Sequence, residues 1–562
     1  MPTVSMRKGY LLSLLGADLT DQQLRDLIES TKMEVEEMGE EELVLEVTAD
    51  RIDMLSPEGI ARYLRGIMGA ELGMPRYRVV GSAVEGWVEE SVLDVRPAFA
   101  LAVVRGVKMT EDSLISLMRL QEKLDEGWGR GRRKVSIGIH DLEKLSPPVT
   151  YRAEPPEEIV FVPLRREEEM DGRRILRELE KGREYGHIIS WSEKFPVIRD
   201  SEGRVISMPP IINSEMTRVT EETRDLLIDV TGLDQYSVEK AAVVIATSLA
   251  ELGGSIELVR LHLPGEERVT PDMEPLEMEL DLDYFRRKSG IELSGDEVSL
   301  LLRRCRLDAE QSDGSIRAVI PPFRVDFLHP IDLVEEALIA YGYWRLKPEI
   351  PTVMTMGRVH PIEKISRRAR ILMIGLGYQE VLSYIMTNPE DLFDRVRRPR
   401  GPVVEVANPV SATYSVLRDS LIPGLLLFLA RNVGAPYPQK VFEVGDVVIV
   451  DEGYETRARN ERRLAAAIAD DVISFEHVQS HLFSLLEGLG LEFHLRPSTH
   501  PTLIEGRTAE VIYELEEEVV AGIIGEVRPD VLESLGLRTP VGVFEVSLEP
   551  LVGVRRREGR GF

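Results

Sequence analysis

The sequence predicts an α+β protein built from several domains, and three observations carry that prediction. The chain has 562 residues, more than one core fills when domains run to roughly 100–200 residues. Its hydrophobic fraction of 43% is that of a globular protein. Short runs with a period of two, the strand signal, alternate along its length with longer runs at helical spacing. Composition and pattern divide it into a small N-terminal α+β unit over 1–80, a mixed-sheet domain over 90–265, a compact α+β domain over 272–350 and a strand-rich domain over 352–562.

The elements follow in order. "TDQQLRDLIESTKMEVEEMG" opens on Thr20 as an N-cap and carries helical spacing. "ELVLEVTADRIDML" alternates like a strand, and "SPEGIARYLRGIMG" starts a helix with Ser56 as cap and Pro57 in its first turn. "GMPRYRVVGSAVEGW" reads as a linker. Beyond it, "ALAVVRGVKM", "KVSIGIHDL", "EIVFVPL", "GHIISW" and "DLLIDVTG" read as strands between the helices "SLISLMRLQEKLDEGWG" and "SVEKAAVVIATSLAELG". "ERVTPDMEP" reads as a joint. The compact region runs strand "LEMELDLDYF", two helices, strand "SIRAVIPP" and an acidic stretch; the last region opens with the helix "PIEKISRRARILMIGLG".

Acidic residues outnumber basic ones by 97 to 69, a formal charge of −28. This argues against a protein that coats nucleic acid through lysine and arginine, leaves room for local basic patches, and equally serves solubility. The one cysteine, Cys305, excludes an internal disulfide and a thiolate cluster; it reads as core packing in a cytoplasmic protein. No secretory signal pattern is found, and apolar runs such as "LIPGLLLFLA" are too short to cross a bilayer, so no membrane partner is expected.

"RVDFLHPIDLVEE" places Asp326, Asp332, Glu335 and Glu336 within eleven residues. With Pro330 in the first turn of a helix, Glu335 and Glu336 share a face with Asp332, and Asp326 can approach from the preceding loop. Oxygen ligands of this kind suit Mg²⁺ or Ca²⁺. Acidic residues in a first helical turn are also favoured by the helix dipole with no metal at all, and spacing leaves both readings open. "HVQSH" sets His477 and His481 one turn apart, a zinc spacing, but Val478 stands where a zinc protease needs Glu. The cations of "GWGRGRRK", "RVRRPR" and the tail "RRREGRGF" meet RNA phosphates or decorate solvated loops. In "GIHDL", His140 is either a general base or a structural histidine.

Five motifs in order, "ADRIDMLSPEGIARYLRG" (49–66), "KVSIGIHDLEKLSPPVTY" (134–151), "SMPPIINSEMTRVTEETRDLLIDVTGLD" (207–234), "PPFRVDFLHPIDLVEEALIAYGY" (321–343) and "ANPVSATYSVLRDSLIPGLLLFLARN" with "PQKVFEVGDVV" (407–448), together resemble the beta subunits of phenylalanine–tRNA ligases of the archaeal and eukaryotic type. One departure is Ile52, where that family often has Pro; it bears on a turn. The resemblance implies an editing domain in the second region and a Mg²⁺ site at Asp326, Asp332, Glu335 and Glu336 in the third. It implies a class II synthetase-like antiparallel sheet domain without catalytic motifs in the fourth. It also implies an alpha-subunit partner that makes phenylalanyl-adenylate from ATP, a heterotetramer of two alpha and two beta chains, and tRNA(Phe). Ser207, Asp229 and Thr231 match the polar positions of the editing pocket, Ile198 an apolar wall position, and His140 and Asn213 lie in neighbouring motifs. The residues agree that the fourth domain is inactive for synthesis. "KVFEVGDVVIV" looks like the first strand of motif two but lacks its arginine, and no "GxGxGxxR" follows. A sheet without phosphate clamps does not stabilise the transferring charge.

Overall fold

The computed structural model describes residues 2–353 and 355–552, which fall into two compact units, Met1–Ile350 and Pro351–Phe562. The basic tail 555–562 lies outside the described residues. No helix among the described residues is long and apolar enough to cross a membrane.

In the first unit, a three-stranded antiparallel sheet takes the order Thr3–Arg7, Glu42–Val47, Met33–Met38. The helix Pro57–Ile67 is buried along almost its whole length and capped by Ser56, whose hydroxyl accepts from Gly59 N–H. A ten-stranded mixed sheet follows. The stretch that reads as a linker supplies one of its inner strands: Val79–Val88 runs parallel to both Ser255–Leu263 and Val149–Glu154. Its alternate residues Val84, Gly86 and Val88 point inward, and a side chain at Gly86 would collide with Leu261 and Leu101. Polar and glycine content hides this strand from sequence reasoning because its other face is partly wet.

Two more expectations are corrected. "GHIISW" is not a strand; two short helices lead into a 3₁₀ turn at Gly186–Ile188, with Ile189 in the core and Ile188 packed at its margin. "ERVTPDMEP" is not wholly a joint, since Glu266–Thr270 pairs with Ser255–Leu263. The helix Gln235–Ala250 lies against the strands Ala98–Arg105 and Leu226–Gly232, and its apolar residues from Val238 to Leu249 are buried. Three further strands of this unit, Leu276–Asp281, Ser315–Ile320 and Asp308–Ser312, form a three-stranded antiparallel sheet under the helices Gly295–Arg304 and Pro330–Tyr341.

The second unit holds a seven-stranded sheet, antiparallel except for the parallel edge pairing of Gln379–Glu380 with Gln439–Val450. One face packs on the helices Pro361–Gly375 and Phe475–Leu489, the other on Ile422–Arg431 and Pro529–Leu535. The apolar segment "SLIPGLLLFLARN" therefore serves mainly as core: Ile422, Leu425, Leu426 and Leu429 are buried, while Leu427 and Phe428 are partly covered.

Candidate active site

Strands Val135–Asp141 and Leu226–Gly232 lie side by side and antiparallel at one end of the large sheet, the first of them its edge strand. Successive side chains on a strand point to opposite faces. Ile137 and Ile139, with Leu226, Ile228 and Val230, join one core. The polar set Ser136, Gly138, His140, Asp229 and Thr231 is thereby turned to the other face. Asp229 stands opposite Gly138. A side chain at 138 would overlap the Asp229 carboxylate, so the glycine opens the space that the carboxylate crosses.

That face forms the floor of a cleft of about 340 Å³. Asp229, Ser207, Asn213 and Thr217 line it, with Ser136, Gly138 and a rim of cations, Arg132, Arg165, Lys181 and Arg218, set against Glu122. Ser207 Oγ donates to Asn213 Oδ1 at 3.0 Å, which ties two neighbouring strands at the cleft wall. His140 lies wholly buried behind the floor. Its Nε2 is 2.6 Å from Asp229 Oδ2 and its Nδ1 is 2.7 Å from Thr217 Oγ1. Lys181 faces the cleft; burial, and then the nearby Arg132, hold its ammonium below the ordinary lysine range.

Two expected pocket residues sit elsewhere. Thr231 is buried beneath the floor, where its hydroxyl accepts from Arg96 Nε at 2.8 Å; Arg96 also donates to the carbonyls of Thr231, Arg132 and Arg133. Burial lowers the Arg96 guanidinium to about 10. Ile198 does not line the cleft, because its strand carries it into the core formed with Phe99, Tyr151 and Leu227. Sequence reasoning misses Thr217 and places Arg132 only among the cations of an RNA-facing or solvated loop. Arg132 follows from the basic loop "GWGRGRRK", in which Arg130, Gly131 and Arg132 all take left-handed backbone angles. This turns Arg132 inward, to donate to the carbonyls of Pro210 and Ile211 at 3.1 and 3.0 Å and to meet Asp125 at 3.1 Å. Arg130 and Arg133 stay exposed. Burial pushes the Asp125 carboxyl up to about 7 against the pull of Arg132.

The four carboxylates expected at a Mg²⁺ site do not converge. Arg324 clamps Asp326 through two hydrogen bonds of 2.9 and 2.7 Å and reaches Glu336 at 2.9 Å. Glu336 also accepts from Tyr63 OH at 3.1 Å and faces Arg51 at 3.6 Å. Asp332 Oδ2 accepts from the backbone N–H groups of Leu328 and His329, closing a capping box on its own helix. Glu335 points away and pairs with Lys32 at 2.9 Å. Among the described residues, no group of three or more His, Cys, Asp or Glu side chains is placed to hold a metal ion; guanidinium groups neutralise Asp326 and Glu336, an ammonium neutralises Glu335, and Asp332 is held by backbone N–H groups. His477 and His481 meet edge to face, with His481 Nδ1 3.0 Å from Tyr378 OH. Cys305 is buried, its thiol pushed up by burial and bonded to the Glu336 carbonyl.

Three family models match the chain: the B3/4 domain over 131–249, the tRNA synthetase B5 domain over 278–343, and the phenylalanyl tRNA synthetase beta chain CLM domain over 346–548. The phenylalanine–tRNA ligase beta subunit of Korarchaeum cryptofilum is 50% identical, covering 98% of this chain and 99% of that one. The same subunit of Pyrococcus furiosus is 41% identical, over 98% of this chain and 100% of that one. The crystal structure of an N-terminal fragment of the phenylalanyl-tRNA synthetase beta subunit from Pyrococcus horikoshii superposes with a TM-score of 0.60 at 42% identity, covering 61% of this chain and all of the fragment.

Proposed function

Because the chain belongs to the family of phenylalanine–tRNA ligase beta subunits, we propose that it works in the cytoplasm as the proofreading and supporting half of such a ligase. The partner is an alpha chain that makes phenylalanyl-adenylate from ATP, in an assembly of two alpha and two beta chains on tRNA(Phe). The cleft over Asp229 is the editing site, where the ester of tyrosine mistakenly joined to tRNA(Phe) is hydrolysed.

Chemistry makes such a site necessary. Tyrosine is phenylalanine with one hydroxyl added, and an apolar pocket rejects an added hydroxyl by only about 10²-fold. A second pocket that hydrogen-bonds the hydroxyl inverts the preference, because phenylalanine would leave its polar groups unpaired. The single observation that carries this reading is the convergence of Ser207, Asn213, Thr217 and Asp229 on one cleft, rimmed by Arg132, Arg165, Lys181 and Arg218. The polar floor suits a phenol and a water, and the cations suit the phosphates of an RNA end.

The sheet of residues 351–562 supports a non-synthetic role for that unit. Its inward arginines are spent on carboxylates of the sheet: Arg418 meets Glu443 at 2.8 Å and Arg463 meets Glu545 at 2.9 Å. Glu545 also accepts from the backbone N–H groups of Leu421 and Ile422. The test is deacylation of Tyr-tRNA(Phe) by the assembled enzyme. Asp229→Ala is expected to lower the rate by about 10²-fold or more, the scale of a removed catalytic group, with aminoacylation by the alpha chain intact. Deacylation at the wild-type rate would end this assignment.

A further inference from the structure

Behind the cleft floor runs a chain of polar atoms that ends at the cleft wall: Asp229 Oδ2, His140 Nε2 at 2.6 Å, and His140 Nδ1 to Thr217 Oγ1 at 2.7 Å. We propose that Thr217 and His140 form the general-base relay of this site, with Thr217 the catalytic residue that touches the attacking water and His140 the base that acts through it. The proposal rests on the reading of the cleft as an ester-hydrolysing site.

The hydrogen-bonding inventory fixes the direction of the relay. An ionised carboxylate only accepts, so His140 Nε2–H donates to Asp229. In the neutral ring Nδ1 then carries the lone pair and accepts from the Thr217 hydroxyl. The Thr217 oxygen is left with acceptor capacity toward the cleft that it lines. Its contact with the Ser214 carbonyl is a long one, 3.4 Å, which competes weakly for the same proton. A histidine merely satisfied in the core would need nothing beyond this pair of bonds. Here both ends of the series, Asp229 and Thr217, line the cleft, and Gly138 leaves the space in which Asp229 reaches the ring.

The step balances without a co-reactant other than water. As a water oxygen bonds to the ester carbonyl carbon, its proton passes to Thr217 Oγ1 while the Thr217 proton passes to His140 Nδ1. The imidazolium so formed lies against the Asp229 carboxylate. When the tetrahedral adduct collapses, the bond between the carbonyl carbon and the ribose oxygen breaks. The proton returns from His140 through Thr217 to that oxygen, and free amino acid and tRNA leave with the relay restored.

The test uses the assembled alpha–beta enzyme and Tyr-tRNA(Phe), with Thr217→Val, which removes the hydroxyl at nearly constant volume, and Thr217→Ser, which keeps it. Thr217→Val is expected to lower kcat for deacylation by about 10²-fold or more, with KM within about twofold of wild type. Thr217→Ser is expected to return kcat to within about tenfold. A thermal melt on each variant separates a lost relay from a lost fold, since the serine variant carries the larger packing defect and yet is the one predicted to be active. Wild-type kcat in Thr217→Val, or a serine variant as slow as the valine one, overturns the relay. If the wild-type enzyme deacylates and Asp229→Ala does not while Thr217→Val does, the editing site stands and the relay alone falls. If the wild-type enzyme leaves Tyr-tRNA(Phe) intact, both fall.

Discussion

Arg324 accounts for the survival of so many carboxylates between Asp326 and Glu336. Its guanidinium is buried and bonds Asp326 and Glu336 together, and Arg51 adds a second cation from the N-terminal region. Burial alone would raise the Asp326 carboxyl, but Arg324 overrides it and holds the group well below the usual carboxylate range. Removing one member of such a set leaves buried charge uncompensated, which costs about 3–5 kcal/mol. Arg324→Ala is therefore expected to destabilise the isolated chain by that amount in denaturant melts, and a chelator is expected to leave the melting temperature of the isolated chain unchanged. A clear drop on chelation would restore a divalent ion to this corner. The run of acids is plain in the sequence, and so is the helix that Asp332 caps. Arg51 is not, because its part in the cluster depends on a tertiary contact between distant regions that no local spacing encodes. Thr217 is hidden for a similar reason: it closes the single 3₁₀ turn Glu215–Thr217, too short for either period 2 or period 3.6 to assign its side chain to a face.

Regular elements are more legible than loops. "SIGIH" and "LLIDVT" alternate so that one face of each strand is apolar and the other carries the site, and the amino-acid pattern alone reveals this. The strand Val79–Val88 is not legible in the same way, since two glycines and a serine interrupt its alternation. In the second unit, the helix Phe475–Leu489 presents His481 to Tyr378, whose hydroxyl shares a hydrogen bond with His481 Nδ1. Burial, followed by the charges of Lys440 and His477, lowers His481 to about 4. The unfolded chain then takes up the proton first, near the ordinary value of about 6.5. The contribution of His481 to stability is fully present above that pH and is lost as pH falls from about 6.5 to about 4. Thermal melts across this window are expected to show a decline in the stability of the second unit that is smaller in His481→Gln. Identical pH profiles for the two proteins would show that the ring titrates as it does in water.

The molecule as a whole carries a formal charge of −28, so the proposed contact with tRNA would have to use local cation groups such as the cleft rim rather than overall attraction. The second unit leaves apolar side chains uncovered around one cleft: Leu382 is 82% exposed and Tyr384 76%, with Met386 and Tyr414 beside them and Leu427 and Phe428 in the wall. Tyr384 and Tyr414 meet edge to face at 5.7 Å, so the surface is ordered as well as apolar. A contiguous apolar surface on a soluble protein marks an interaction site, and aromatic residues are enriched at such interfaces. On the proposed division of labour, with the inward arginines already paired with carboxylates, the synthetic chemistry would come from the alpha chain, and this surface is where that chain is expected to dock. Purified alone, the chain is expected to attach no phenylalanine to tRNA(Phe) with ATP; co-expressed with the alpha chain it is expected to copurify with it and to do so. Leu382→Asp together with Tyr384→Asp is expected to weaken that association by at least about tenfold, read by size-exclusion chromatography with light scattering. The variant's own melting curve should stay near wild type, because side chains so exposed contribute little to the core. Full assembly by the double variant would move the interface elsewhere on the chain, and charging activity in the chain alone would remove the need for a partner altogether.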